Sequence, residues 1–140
     1  MPEESTTPDL EETLRRSAEA FARGDFAATL SVWAPGGVWD ASPLGVGVFE
    51  SDEAIRGFFA DWRGAYEDFE QVLEDFRDLG NGVTFAVILQ KARLTGSASY
   101  LQLQYAGVAI WRDGLIERVT AYPGIDEARA AAERLAQERG

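Results

Sequence analysis

Residues 80–89 read Gly80-Asn81-Gly82-Val83-Thr84-Phe85-Ala86-Val87-Ile88-Leu89. Asn-Gly is a strong hairpin signal, because a tight two-residue turn needs positive φ at both central positions. The run that follows is almost continuously apolar, which fits a central strand covered on both faces. A hairpin feeding such a strand decides for a packed sheet. Outward from it the strand pattern continues. Residues 69–79 form the preceding strand, and Thr95-Gly96-Ser97 marks the next turn. Residues 100–111 then alternate between Tyr100, Gln102, Gln104, Ala106 and a second face of Leu101, Leu103, Tyr105, Gly107. Arg112-Asp113-Gly114 is another turn, and 115–122 is the last strand.

Helices flank this sheet in the chain. Upstream, Ile55, Phe58, Phe59, Trp62 and Tyr66 recur at i, i+3, i+4, i+7 and i+11, the strongest helical period present, with Ser51 at the start and Asp52 and Glu53 in the first turn. Thr7 as N-cap and Pro8 at N1 open a first helix with the stripe Leu10, Leu14, Ala18, Phe21 and a stop at Gly24. Asp25 caps a short second helix carrying Phe26, Leu30 and Trp33, ended by Pro35-Gly36-Gly37. Val38-Trp39-Asp40 reads as a short strand before an irregular 41–47 loop. Ile125, Ala128, Ala132 and Leu135 mark a terminal helix. The order is α-α-β-α-β-β-β-β-α, an α+β domain.

With 46% hydrophobic and 11% aromatic side chains, the 140 residues can build a core and are too apolar for global disorder. One domain is expected over 1–140, its core at about 8–135 and a flexible tail at 1–7. The net charge of −11 argues against nucleic acid, whose binders need a basic footprint, and against anionic membranes. No run approaches the roughly 18 apolar residues of a membrane span. Met1 to Pro8 is acidic and polar, unlike a signal peptide, so a cytoplasmic protein is expected. Cys and His are absent, which removes thiol nucleophiles, triads and ordinary zinc sites. Acid–base chemistry would fall to carboxylates, Tyr or Arg/Lys-assisted water, and no metal site is expected.

Several phrases carry a resemblance. They are Ala20-Phe21-Ala22-Arg23-Gly24-Asp25, Trp33-Ala34-Pro35, Val38-Trp39-Asp40, Pro43-Leu44-Gly45, the stretch from Ala54-Ile55-Arg56-Gly57 through Trp62, Val108 with Arg112-Asp113-Gly114, and Asp126-Glu127-Ala128. In this order and spacing, over about Leu10 to Ala132, the chain resembles the SnoaL-like (polyketide cyclase-like) branch of the nuclear transport factor 2-like superfamily. The resemblance implies a cone, the cystatin-like α+β roll: a curved mixed β-sheet wrapped around the N-terminal helices, a C-terminal helix, and a pocket in the mouth. It implies a homodimer through the outer sheet, for which Tyr100, Gln102, Gln104, Val108 and Ile110 are the candidate face. No cofactor is implied. The superfamily hosts isomerases, cyclases, hydrolases, dehydratases and non-enzymatic binders, so fold alone does not name an activity.

The resemblance places Asp40 where ketosteroid isomerases carry a general base. In an apolar, aromatic mouth its pKa would rise and suit it to that role. The alternative is an Asp that caps the Ala41–Ser42 turn. The isomerases' oxyanion donors are missing, since Ser17 and Gly107 stand at those places, and so are the epoxide hydrolases' strand carboxylates. Trp33, Trp39, Trp62, Tyr66 and Tyr105 fall on faces the resemblance turns inward, as pocket walls or as plain core. Leu103 and Gly107 share the Tyr105 face, where Gly107 would open space or mark a bulge. Glu117 would be a second carboxylate opposite Asp40, or a solvated strand residue.

Two functions of different class stay open. One is a binder of a small hydrophobic or cyclic molecule, with cofactor-free isomerase, cyclase or hydrolase chemistry in which Asp40 is the base and Tyr105 a hydrogen-bond donor. The other is a non-catalytic homodimeric interaction module whose pocket is plugged by its own side chains.

Overall fold

The computed structural model describes residues 9–140; the expected Thr7–Pro8 helix start and the 1–7 tail lie outside the described residues. Helix α1 (Leu10–Ala22) is capped by Asp9, whose carboxylate accepts the Glu12 N–H at 3.1 Å. Helix α2 (Phe26–Leu30) is capped by Asp25 in the same way, but it does not reach Trp33. Trp33 instead opens strand β1 (Trp33–Asp40). The Ile116 N–H donates to Val32 O at 2.8 Å, which draws this segment into parallel pairing with the last strand. Pro35-Gly36-Gly37 therefore ends no helix. It forms a bulge in β1, with Gly36 at φ +75° and the Trp33 ring lying where a Gly37 Cβ would be, 2.7 Å away.

A one-turn 3₁₀ helix (Ser42–Leu44) and a two-residue strand β2 (Val48–Phe49), which the sequence did not announce, follow. Helix α3 (Asp52–Gly64) starts at Ser51, whose hydroxyl accepts the Ala54 N–H at 3.0 Å. It stops two residues short of Tyr66, which opens β3 (Tyr66–Gly80). Then come β4 (Val83–Leu94), β5 (Tyr100–Arg112), β6 (Leu115–Tyr122) and α4 (Ile125–Arg139). The β3–β4 turn has Asn81 at φ +58° and Gly82 at φ +78°, as the Asn-Gly signal predicts.

The sheet runs β2-β1-β6-β5-β4-β3, antiparallel except for β1 beside β6. Bulges interrupt β1, β3 and the β5–β6 pair, and each bends its strand, so the mixed sheet curves. Strand β4 is covered on both sides, as its apolar run requires. Val83, Phe85 and Val87 pack with Ala106 and Val108 against Ala128, Ala132 and Ala136 of α4. On the other side Ile88 joins Tyr105 and Ala109 in a core with Phe21, Trp39 and Phe59. Helix α4 thus covers Val108, one of the residues expected on a dimer face. Among the described residues no helix is long and apolar enough to cross a membrane.

Candidate functional site

The concave side of the sheet encloses a cavity of about 90 Å³, within a partly open hollow of about 690 Å³ that includes solvent at the mouth. Helix α1 contributes Leu14, Ser17 and Phe21; α3 contributes Phe59 and Trp62; the strands contribute Trp33, Trp39, Ala86, Ile88, Gly107 and Val119, among others. The rings meet mostly at edges and tilts. Phe21–Phe59 and Trp39–Phe59 are T-shaped at 5.2 and 5.3 Å, while Trp39–Trp62 and Trp62–Tyr105 are tilted at 6.2 and 5.9 Å. Such contacts are favourable but bulky. The strand residues facing them include Ala86, Gly107 and Ala109, too small to close the gap. Bulging aims the last strand: Ile116 and Val119 both line the cavity, which strict alternation forbids, because Trp111 pairs with Ile116 and Ile110 with Arg118, leaving Glu117 as the extra residue.

Polar groups in the wall are few. Ser17 donates to Thr29 O (3.2 Å), the Thr29 hydroxyl to Asp25 O (2.9 Å), and Thr84 Oγ1 accepts Trp111 Nε1–H (2.8 Å). Tyr105 Oη accepts the Gln71 amide at 3.4 Å, a weak contact. Burial drives the Tyr105 pKa upward, offset only in part by Gln71, so the phenol keeps its proton. Among the described residues Tyr105 is the sole titratable group in the wall.

Of the nine residues singled out from the sequence, Trp33, Trp39, Trp62, Tyr105 and Gly107 meet in this wall. The other four do not. Asp40 follows Trp39 on a strand, so it points to the opposite face of the sheet. There Asp40 Oδ1 accepts the Ser42 N–H (2.9 Å) and Oγ–H (2.6 Å), and Oδ2 pairs with Arg118 across the β1–β6 contact. Burial alone would raise its pKa, but the Ser42 and Arg118 contacts outweigh burial and lower it, contrary to the rise expected of a general base. Glu117, at the bulge, pairs with Arg112 at 2.7 Å. Tyr66 packs on Phe69 at the start of β3, ring centroids 5.8 Å apart. Leu103 is on the concave side but farther along β5, and 47% exposed.

Gln71 and Arg118 escaped the sequence reading. Gln71 is the one uncharged polar side chain in an acid-rich strand, a usable signal, but the β3 bulges hide which way it faces. Arg118 would follow only from knowing that β1 and β6 run parallel.

A family model described as the SnoaL-like domain matches residues 14–119. The chain belongs to the SnoaL-like family. No curated protein matches it. Among solved structures, it is similar to a protein with a ketosteroid isomerase-like fold from Catenulispora acidiphila in complex with trimethylamine. That match has a TM-score of 0.70 and 16% identity, covering 91% of this chain and 94% of that one. TerC, co-crystallised with polyporic acid, gives a TM-score of 0.69, 17% identity and coverage of 89% and 98%. An NTF2-like protein of unknown function from Burkholderia pseudomallei gives 0.70, 18%, and coverage of 90% and 98%. Identities this low speak for the fold. They agree with the curved sheet, the helices on its concave side and the terminal helix described above, and the SnoaL-like cone expected from the sequence is the fold observed.

Proposed function

We propose that this SnoaL-like chain binds a small, uncharged, largely apolar cyclic molecule in the concave cavity. The observation that carries this reading is the wall itself: aromatic and aliphatic surface with a few hydroxyls, an amide and, among the described residues, no carboxylate, Lys or Arg. An unpaired charge brought into such a wall would lose its hydration without a counter-charge, so a neutral ligand fits. The enclosed volume is smaller than the roughly 150 Å³ of an apolar cavity that holds benzene, so only part of a ring sits inside and the remainder lies in the mouth. Two structural neighbours were crystallised with small molecules, trimethylamine and polyporic acid, which supports a small-molecule pocket without fixing its charge preference.

Isomerase, cyclase or hydrolase chemistry with Asp40 as base has weaker support, because that carboxylate is bound to Ser42 and Arg118 on the other face. The plugged interaction module is disfavoured by the open space. A homodimer belongs to the proposal, through the part of the outer sheet that α4 leaves bare, where Tyr100 (64% exposed), Gln102 and Gln104 stand with Val72 (44% exposed).

Native mass spectrometry of the purified chain, followed by thermal melts with a panel of neutral one- and two-ring compounds, tests both parts. Two chains per particle, and a rise in melting temperature that grows with ligand concentration, are expected from mass action. A monomer would sink the dimer. Melts indifferent to every compound would sink the binding site.

A further inference from the structure

The cavity has an excess of hydrogen-bond donors, and that excess selects a ligand. Trp39 is 6% exposed and lines the cavity, yet its Nε1–H is buried without a partner. The same sheet shows how an indole is satisfied when its role is structural: Trp111 donates to Thr84 Oγ1 at 2.8 Å. Tyr105 is the second donor. Its oxygen already accepts the Gln71 amide, so its own proton is directed elsewhere, and burial keeps that proton on. Trp39 and Tyr105 each pack on Trp62, with ring centroids 6.2 and 5.9 Å from it, so both rings belong to the same wall. The Ser17 and Thr29 protons are committed to backbone carbonyls. Among the described residues the other buried unpartnered side-chain atoms, Gln90 Oε1 and Arg129 Nε, are outside the wall.

We infer that Trp39 Nε1–H and Tyr105 Oη–H together receive a carbonyl oxygen of a neutral cyclic ligand. The inference rests on the binding site proposed above. A carbonyl oxygen has two lone pairs and no proton, so it can satisfy two donors without adding a third. A buried donor left unpaired loses its hydration for nothing, and a ligand that supplies the acceptor recovers that loss.

The probes are cyclohexanone and its isostere methylenecyclohexane, in which a C=CH₂ replaces C=O. Their affinities are measured by NMR titration on the full chain, Trp39→Phe and Tyr105→Phe. The ketone-to-alkene affinity ratio is the readout, because any general loosening of the cavity cancels in it. The expected result is a ratio lower by about threefold to tenfold in each variant. In the unaltered chain, the Trp39 indole ¹⁵N–¹H signal moves downfield with the ketone and not with the alkene. That signal keeps the test alive if Trp39→Phe does not fold. A ratio unchanged in either folded variant, or an indole signal that responds alike to both probes, overturns the paired contact while leaving the binding site standing. Failure of both probes to bind the unaltered chain overturns the binding site and this inference with it.

Discussion

Strands β4 and β5 present two apolar faces built from alternate residues of the same sequence, and the two faces behave differently. Under α4, Val83, Phe85, Val87, Ala106 and Val108 meet a stripe of alanines at 128, 132 and 136, and this contact holds the fully buried Phe85. On the concave face, Ala86, Ile88, Gly107 and Ala109 meet Phe21, Phe59 and Trp62, and a cavity remains. Hydrophobicity does not separate the two. Shape does: strand side chains interlock with an alanine stripe, whereas rings meeting edge to face above small strand residues leave corners unfilled. The packed face secures the sheet; the unfilled face is available to a ligand.

Adding carbon to the packed face breaks the comparison most severely. Ala132 has no exposed surface and sits in the middle of the stripe. Ala132→Leu must lift α4 or force strained rotamers, and we expect a loss of about 3 kcal/mol in urea unfolding at neutral pH. A loss below about 1 kcal/mol would mean that the alanine contact has slack, and the contrast between the faces would fail.

The packed face was largely legible in the sequence. The near-continuous apolar run 83–89, the Asn-Gly turn and the alanine spacing of the last helix each have a direct physical reading, and all three appear in the fold. The concave site was legible only in part. Trp39, Trp62, Tyr105 and Gly107 could be placed because each lies on a regular stretch of helix or strand. Asp40 was misplaced because a one-residue step along a strand moves a side chain to the other face. Glu117 could not be placed because it is itself the bulge residue. Tyr66 followed the helical period of 55–62, but the helix ends at Gly64 before that period reaches it. Bulges and element ends are set by tertiary pairing, and periodicity does not record them.

The second perturbation couples the faces. Asp40 and Arg118 join β1 to β6 on the outer side, while Trp39 and Val119, the neighbouring residues, line the cavity on the inner side. Asp40→Ala removes the cap on Ser42 and leaves Arg118 unpaired, for an expected loss of about 2 kcal/mol at pH 7. Because the folded-state pKa lies below the ordinary carboxylate value of 3.8, the Asp40 contribution is fully present well above that value. It declines as pH falls from about 5 through the lower folded-state pKa. The stability gap between the two proteins should therefore narrow on acidification, as urea titrations at pH 7 and pH 3 would read. A gap that widens in acid would reverse the sign assigned to the Ser42 and Arg118 contacts.

The smallest expected effect separates the faces most sharply. Gly107 lines the cavity without needing a positive φ, and a Cβ built there would meet Val119 Cγ1 at 3.5 Å, an ordinary contact. Gly107→Ala therefore adds carbon where there is room, and the unfolded chain loses some of its freedom. The expected gain is about 0.5 kcal/mol. It is opposite in sign to the effect of Ala132→Leu, although both changes add apolar atoms to a buried apolar face. The same methyl occupies space proposed for the ligand, so compounds that stabilise the unaltered chain should stabilise Gly107→Ala less. Urea unfolding and ligand-dependent melts on the one variant read both effects. A loss of stability would show that the concave face has no slack at β5. A gain in stability with ligand response intact would move the ligand away from Gly107.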